Sequence, residues 1–424
     1  MPPKDLALRR ASLGDISRRD LLTGALAGAA AFAASGPAAG SSRGGKSKTL
    51  AYVGCYTPNG LGIYLFNVEA DGDLKPIKVF TTPNPSPTSV SATNPSWLAF
   101  NPGKTNLYVA NEISNFNNTP AGAVSAFSVN QSDGELTFLN TVSSEGRGPA
   151  HLSVDPSGNY VLVSNYGGGN VAVLPILSGG WLGSATDVQA DANSCTPAPC
   201  PLGPTIAAKA PPGSFARSGH DAPHAHMIET DPAGNFAVST DLGLDIVIVR
   251  TFDRMTGKLL APKTFPTSPG AGPRHFAFHP NGVWFYLLNE ESSTLAFMRY
   301  NPATGSLSPV DEISTLPEGF VGTNFTSEIM VSPNGSFIYA ANRLHDTIAI
   351  FSIERGGRPE LIDEEWTRGD YPRSFNIDPS GRYMYVCNQR SDAVTTFRVL
   401  GNGRGLKFAN RYTPVGSPAA IQFL

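Results

Sequence analysis

The sequence predicts an all-β protein, a seven-bladed β-propeller closed by pairing of its N-terminal and C-terminal strands. Three observations predict this. A turn of the type Asp-Pro-Ser-Gly recurs along the chain, each turn joins two short apolar strands, and the two ends of the repeat region carry complementary parts of one repeat. The turns are Asn101-Pro102-Gly103, Asp155-Pro156-Ser157-Gly158, Asp231-Pro232-Ala233-Gly234, His279-Pro280-Asn281-Gly282, Ser332-Pro333-Asn334-Gly335 and Asp378-Pro379-Ser380-Gly381. Proline sets φ at the first corner and glycine supplies positive φ, so each turn marks a hairpin. The strands that follow read LYVAN, VLVSN, AVSTD, FYLLN, IYAAN and MYVCN, with third strands such as NVAVLPI, STLAFMRY and TIAIFSI behind them. Short antiparallel strands repeating about every 50 residues indicate propeller blades.

The blade count comes from the ends. Six turns are visible. LAYVGCYT and GIYLFNV read as second and third strands without a first, and the stretch from Pro418 to Leu424 reads as a lone first strand. Joined, they form a seventh blade and remove the exposed sheet edges. A solenoid would not need the two ends to match.

The propeller is assigned to 49–424, with an insertion at about 178–222. Residues 1–40 read as a twin-arginine signal peptide: the pair Arg18-Arg19, an Ala-rich apolar stretch from Leu21 to Ala34, then small residues to Gly40. Residues 41–48 form a flexible basic leader. Export of the folded protein to the periplasm or the extracellular space is expected. The apolar stretch is shorter than the ~20 residues that cross a bilayer, so no stable membrane insertion is expected after cleavage. A net charge of −3 with 15% charged residues leaves no basic footprint for nucleic acid. Of the four cysteines, Cys195 and Cys200 stand close together in the Pro-rich insertion and can form a local disulfide. Cys55 and Cys387 fall in strands and read as buried thiols.

The repeats also locate a site. Aligned on the first apolar residue of each innermost strand, the blades carry Trp97, His151, His226, His275, Glu328, Ser374 and Ala420 just before it. Arg274 and Arg373 stand one position earlier. After the recurring Asn that ends the next strand come Glu112, Tyr166, Glu290, Arg343 and Gln389. Inner strands line the channel, so these groups are expected to converge at one mouth. Clustered ionisable groups cost several kcal/mol to bury unless they are partnered, which favours a functional role over a scaffold role.

These residues resemble a known family. His224-Ala225-His226, Gly272-Pro273-Arg274-His275, Asn289-Glu290, Ser327-Glu328, Asn342-Arg343 and Pro372-Arg373 look like the lactonase seven-bladed propellers. That family includes a class of 6-phosphogluconolactonase, and its fungal relatives include carboxy-cis,cis-muconate cyclase. The resemblance runs from Leu50 to Leu424 and implies a metal-free lactone site without a cofactor. It places the family's site His at His224 or His226, its arginines at Arg274 and Arg343, and its Glu at Glu290. Internal alignment favours His226 for the channel. His151, His275, Glu328 and Arg373 are expected to contact substrate. The insertion and the export signal depart from the family pattern.

The chemistry follows from the residue types. Lactone hydrolysis needs a base near neutral pKa, which His provides, and donors for the developing oxyanion, which arginine provides. Glu290 can orient the His, hold the imidazolium or act as the base. No Gly-x-Ser-x-Gly elbow is present. The His-Ala-His pair is a poor cation site because the clustered arginines would repel the ion. The expected function is hydrolysis of a small sugar-derived lactone by a monomer. The alternatives are a carboxymuconate-type cycloisomerase and a non-catalytic extracytoplasmic binding propeller. Substitutions at the channel mouth are expected to leave folding intact.

Overall fold

The computed structural model describes residues 48–82, 93–216 and 219–424. The expected signal peptide, and all of the basic leader but Lys48, lie outside the described residues. Seven four-stranded antiparallel sheets form the blades of a propeller. In blade 1 the strand Pro418–Phe423 pairs with Leu50–Cys55, with Ile421 opposite Val53, so the last strand of the chain closes the ring on the first. The inner strands of blades 2 to 7 are Pro95–Phe100, Pro149–Val154, Ala225–Thr230, Pro273–Phe278, Thr326–Val331 and Pro372–Ile377. No helix among the described residues is long and apolar enough to cross a membrane.

The core is divided among the blade interfaces. Leu50, Tyr52 and Leu65 of blade 1 pack on Leu98, Leu107 and Val109 of blade 2. At the other side of blade 1, Val53, Phe66 and Phe423 meet Tyr385 and Cys387 of blade 7. The recurring Tyr of the second strand adds a directional link. Tyr52, Tyr108, Tyr286, Tyr339 and Tyr385 each donate a hydroxyl hydrogen bond to a glycine carbonyl of the following blade: Gly134, Gly180, Gly357, Gly403 and Gly72. Such a buried hydroxyl needs a partner, and the outer turn of the next blade supplies it.

Two details correct the sequence reading. First, Asp187–Ala190 is the outer strand of blade 3 and pairs with Asn170–Val173, so the insertion proper begins at 191 and not at 178. Its four residues alternate half-buried and exposed and carry little apolar signal. Second, each inner strand has a β-bulge near its start. Pro273 lies opposite Asn289 and His275 opposite Leu288, which leaves Arg274 as the extra residue. The extra residue is Arg373 in blade 7 and His226 in blade 4. His226 therefore belongs in register with Arg274 and Arg373, not with His151 and His275. Aligning on the first apolar residue slipped by one because Met227 occupies the position that is Trp97, His151, His275 and Glu328 in other blades. Counting back from the turn avoids the slip: His226, Arg274 and Arg373 each stand five positions before Asp231, His279 and Asp378.

Candidate active site

The bulges aim side chains at the upper mouth of the channel, where the inner strands begin; bulges commonly re-aim side chains next to functional sites. The Oε2 atom of Glu290 lies 3.0 Å from Arg274 Nε and 2.7 Å from Arg343 Nη2. Arg274 also donates to the Ser327 carbonyl. Arg343 donates to the Thr326 carbonyl at 3.0 Å and to the Tyr371 hydroxyl at 3.2 Å, with its guanidinium on the rings of Phe325 and Tyr371. Burial pushes the Glu290 carboxyl up, but Arg343 and Arg274 outweigh it and hold the group below the usual carboxylate range. Burial, with help from the Arg343 charge, pushes the Arg274 guanidinium down to about 10.

Arg373 stands on blade 7, next to blade 6, which carries Arg343. Its guanidinium sits over the Tyr56 ring, 3.8 Å from Glu112 Oε2, and that oxygen accepts the Tyr56 hydroxyl at 2.5 Å. Tyr56 was missed in the sequence, although it completes the set that follows the second strands: Tyr56, Glu112, Tyr166, Leu242, Glu290, Arg343 and Gln389. The recurring Asn that flags this position is Cys55 in blade 1. Tyr371 was missed as well; its signal is an aromatic two residues before Arg373.

His226 stands beside the charged cluster and is 5% exposed. Its ring meets His275 and Tyr166 edge-on, at centroid distances of 5.0 and 5.6 Å, and its Nδ1 has no hydrogen-bond partner among the described residues. Burial, then the charge of Arg274, hold His226 well below the ordinary imidazole value, so it is neutral at physiological pH. His224 is placed differently. It stacks on Tyr166 with centroids 4.2 Å apart, and its nitrogens face the Tyr166 carbonyl at 2.9 Å and Asp221 Oδ1 at 3.0 Å. Both of those partners are acceptors, so His224 is occupied in holding the loop.

His151, His275 and Glu328 do not join the charged mouth. With Trp97 they form a layer beneath it, with Trp97 4.6 Å from His151 and 5.3 Å from His275 between centroids. His275 Nδ1 lies 3.2 Å from Glu328 Oε1. Burial pushes Glu328 up to about 8, against the opposing charge of Arg274, so it is largely protonated at neutral pH. His151 and His275 are held well below the ordinary value, chiefly by burial. Below this layer a cavity of about 910 Å³, lined by Phe100, Glu229, Phe278 and Met330 among others, opens toward the turns. This cavity thus lies at the opposite end of the channel from the clustered charge. Among the described residues, no three His, Cys, Asp or Glu side chains are grouped so as to hold a metal ion.

In the insertion, Cys195 and Cys200 are joined by a disulfide. Cys200 packs on Leu244, Ile246 and Ile248 of blade 4. Cys55 and Cys387 are free and buried.

A seven-fold ring of blades with an arginine-clasped glutamate and a neutral histidine at one mouth defines a class, and comparison with known proteins gives it a family. Residues 50–423 match the family described as lactonase, 7-bladed beta-propeller, and the chain belongs to that family. It is 31% identical over 331 residues to the 6-phosphogluconolactonase of Bacillus subtilis, covering 78% of this chain and 85% of that protein. Among solved structures it resembles a periplasmic gluconolactonase from Pseudomonas aeruginosa, with TM-score 0.74 and 26% identity over 89% of this chain and 99% of that one. A putative 6-phosphogluconolactonase from Bacteroides fragilis is similar at TM-score 0.75 and 27% identity, covering 89% and 98%.

Proposed function

We propose that this chain hydrolyses a small sugar-derived lactone at the upper mouth without a metal, as an exported monomer. The observation that carries the reading is the buried Arg274–Glu290–Arg343 cluster with neutral His226 beside it. The names of its relatives, one a 6-phosphogluconolactonase and one a periplasmic gluconolactonase, support both the substrate class and the export reading. Water attacks the lactone carbonyl carbon as His226 takes its proton. Arg274 and Arg343 stabilise the oxyanion, and Glu290 holds them in place. When the ring C–O bond breaks, the imidazolium returns the proton to the leaving alkoxide, giving a hydroxy acid. Glu290 is a poor base, because two guanidiniums stabilise its charged form. An imidazole held this low releases its proton readily, which suits the second step. An anionic substrate group near the arginines would raise its affinity for the first.

Steady-state assays of gluconolactone, its 6-phosphate and carboxymuconate, with and without chelator, test the reading and separate hydrolysis from cycloisomerisation. His226→Ala should lower turnover by ~10²–10⁴-fold. The acid limb of the wild-type rate profile should lie well below pH 6.5, since activity is lost as His226 gains its proton. Near-wild-type turnover in both His226→Ala and His224→Ala would remove the histidine mechanism.

A further inference from the structure

His220, one of the seven histidines of the chain, belongs to no part of the mechanism above, yet it is buried at the end of the insertion. Its Nε2 lies 3.1 Å from Asp245 Oδ1 and its Nδ1 lies 3.2 Å from Glu291 Oε2. Both partners are carboxylates, so the ring satisfies both only as the imidazolium. Burial opposes that charge, but the bonds to Asp245 and Glu291 outweigh it and raise His220 to about 10.

Each partner touches a segment that carries a site residue. Asp245 accepts the Gly270 and Gly272 amides at 2.6 and 2.9 Å, in the loop that enters the inner strand two residues before Arg274. Glu291 follows Glu290 directly. Its amide donates to the Ala271 carbonyl at 3.0 Å, and the Glu290 amide donates to the Gly272 carbonyl at 2.7 Å. Gly272 is at φ 65, and a Cβ there would meet Leu242 and Glu291, so the loop is built to lie close against this turn. The start of the insertion is fastened separately, by Arg250 Nη2 to Asp191 Oδ1 at 2.6 Å.

We propose that His220 is a positioning residue: it clasps Asp245 and Glu291 and thereby sets the loop that carries Arg274 against the turn that carries Glu290. The insertion then contributes to the site without touching substrate. The catalytic part of this proposal rests on the lactonase reading; the clasp itself does not.

The test uses the full mature chain. In His220→Gln, hydrogen exchange at residues 267–274 should rise at least tenfold, while the strand Asn106–Asn111 on another blade stays unchanged. On the best lactone substrate, kcat should fall ~10–100-fold with KM little altered, the cost of a small misplacement of reacting groups. With Arg274→Ala already present, His220→Gln should lower kcat no further, because the two changes act through one arrangement. A residue that merely stabilises the fold would lower the melting temperature and leave kcat of the folded enzyme intact. Unchanged exchange in 267–274, or additive losses in the double variant, overturns the proposal. Should His220→Gln fail to fold, Asp245→Asn weakens the same clasp and is held to the same outcomes. If the wild-type chain hydrolyses no lactone, the exchange measurement still decides the clasp, and the function reading fails separately.

Discussion

At the upper mouth Glu290 faces two guanidiniums, whereas at the lower mouth Asp155, Asp231 and Asp378 face backbone amides. Oδ1 of Asp155 accepts the Asn159 and Tyr160 amides at 2.9 and 2.8 Å. Asp231 does the same for Asn235 and Phe236, and Asp378 for Arg382 and Tyr383. In blade 6 the Ser332 hydroxyl takes the role. The lower rim repeats because every blade must satisfy the same turn amides. The upper rim varies because its bulged residue is not needed for the ladder: it is Ser96, Ala150, His226, Arg274, Ser327, Arg373 or Ala419. Similar acidic groups thus satisfy turn amides at one end of the channel and hold guanidiniums in place at the other.

The comparison is tested hardest by Arg274→Ala. Loss of a guanidinium at the oxyanion position should lower kcat by ~10²–10³-fold. It should also destabilise the protein by about 3 kcal/mol, the low end for a broken buried ion pair, since Glu290 keeps Arg343. This revises the expectation that mouth substitutions leave folding intact, because Arg274 and Arg343 are nearly fully buried. Kinetics and urea unfolding on the same variant separate the two effects. A loss of stability with kcat unchanged would make the upper rim structural, like the lower one.

Asp155→Ala is the counterpart at the lower rim. It strands the Asn159 and Tyr160 amides and should cost ~1–3 kcal/mol. Turnover per folded molecule should stay within twofold of wild type, or about 0.4 kcal/mol in barrier. Asp155→Asn keeps an acceptor oxygen and should recover most of the stability. A marked fall in kcat for the Ala variant would mean that the two mouths are coupled through the layer at Trp97 and His151.

Most of the propeller was legible in the sequence because its turns use residues with few substitutes: proline at a fixed φ, glycine at positive φ, and an acceptor side chain ahead of them. The closing strand was legible for the same reason, since Pro418 to Leu424 had no partner of its own. Arg274, Glu290 and Arg343 could be found because charged residues interrupt otherwise apolar repeats. The clasp could not be found. His220 lies in an irregular segment that no period aligns, Asp245 reads as an ordinary turn residue before a third strand, like Ser293, Asp346 and Asp392, and Glu291 was masked by its neighbour Glu290. The slip at His226 had a different cause, for hydrophobicity records the strand but not the bulge within it.

The smallest effect belongs to the one turn that breaks its own rule. Five lower-rim turns place glycine in the left-handed region: Gly158, Gly234, Gly282, Gly335 and Gly381, with φ between 68 and 72. In Asn101-Pro102-Gly103 the glycine stands one position early, and Lys104 takes the left-handed conformation at φ 52. A side chain there costs roughly 1–2 kcal/mol relative to glycine in sterics alone. Lys104 Nζ recovers part of this by donating to the Phe423 carbonyl at 3.0 Å, on the strand that closes the ring. Lys104→Asn should stabilise by less than ~1 kcal/mol, because asparagine tolerates this conformation and the lost surface bond is weak. Lys104→Gly should gain less, since glycine gives back roughly 0.5–1 kcal/mol in unfolded-state entropy. Urea midpoints at constant m-value resolve such differences. If Lys104→Asn instead loses more than ~1 kcal/mol, the Nζ bond to Phe423 is a fastening of the ring closure, and the lower rim is more than a set of turns.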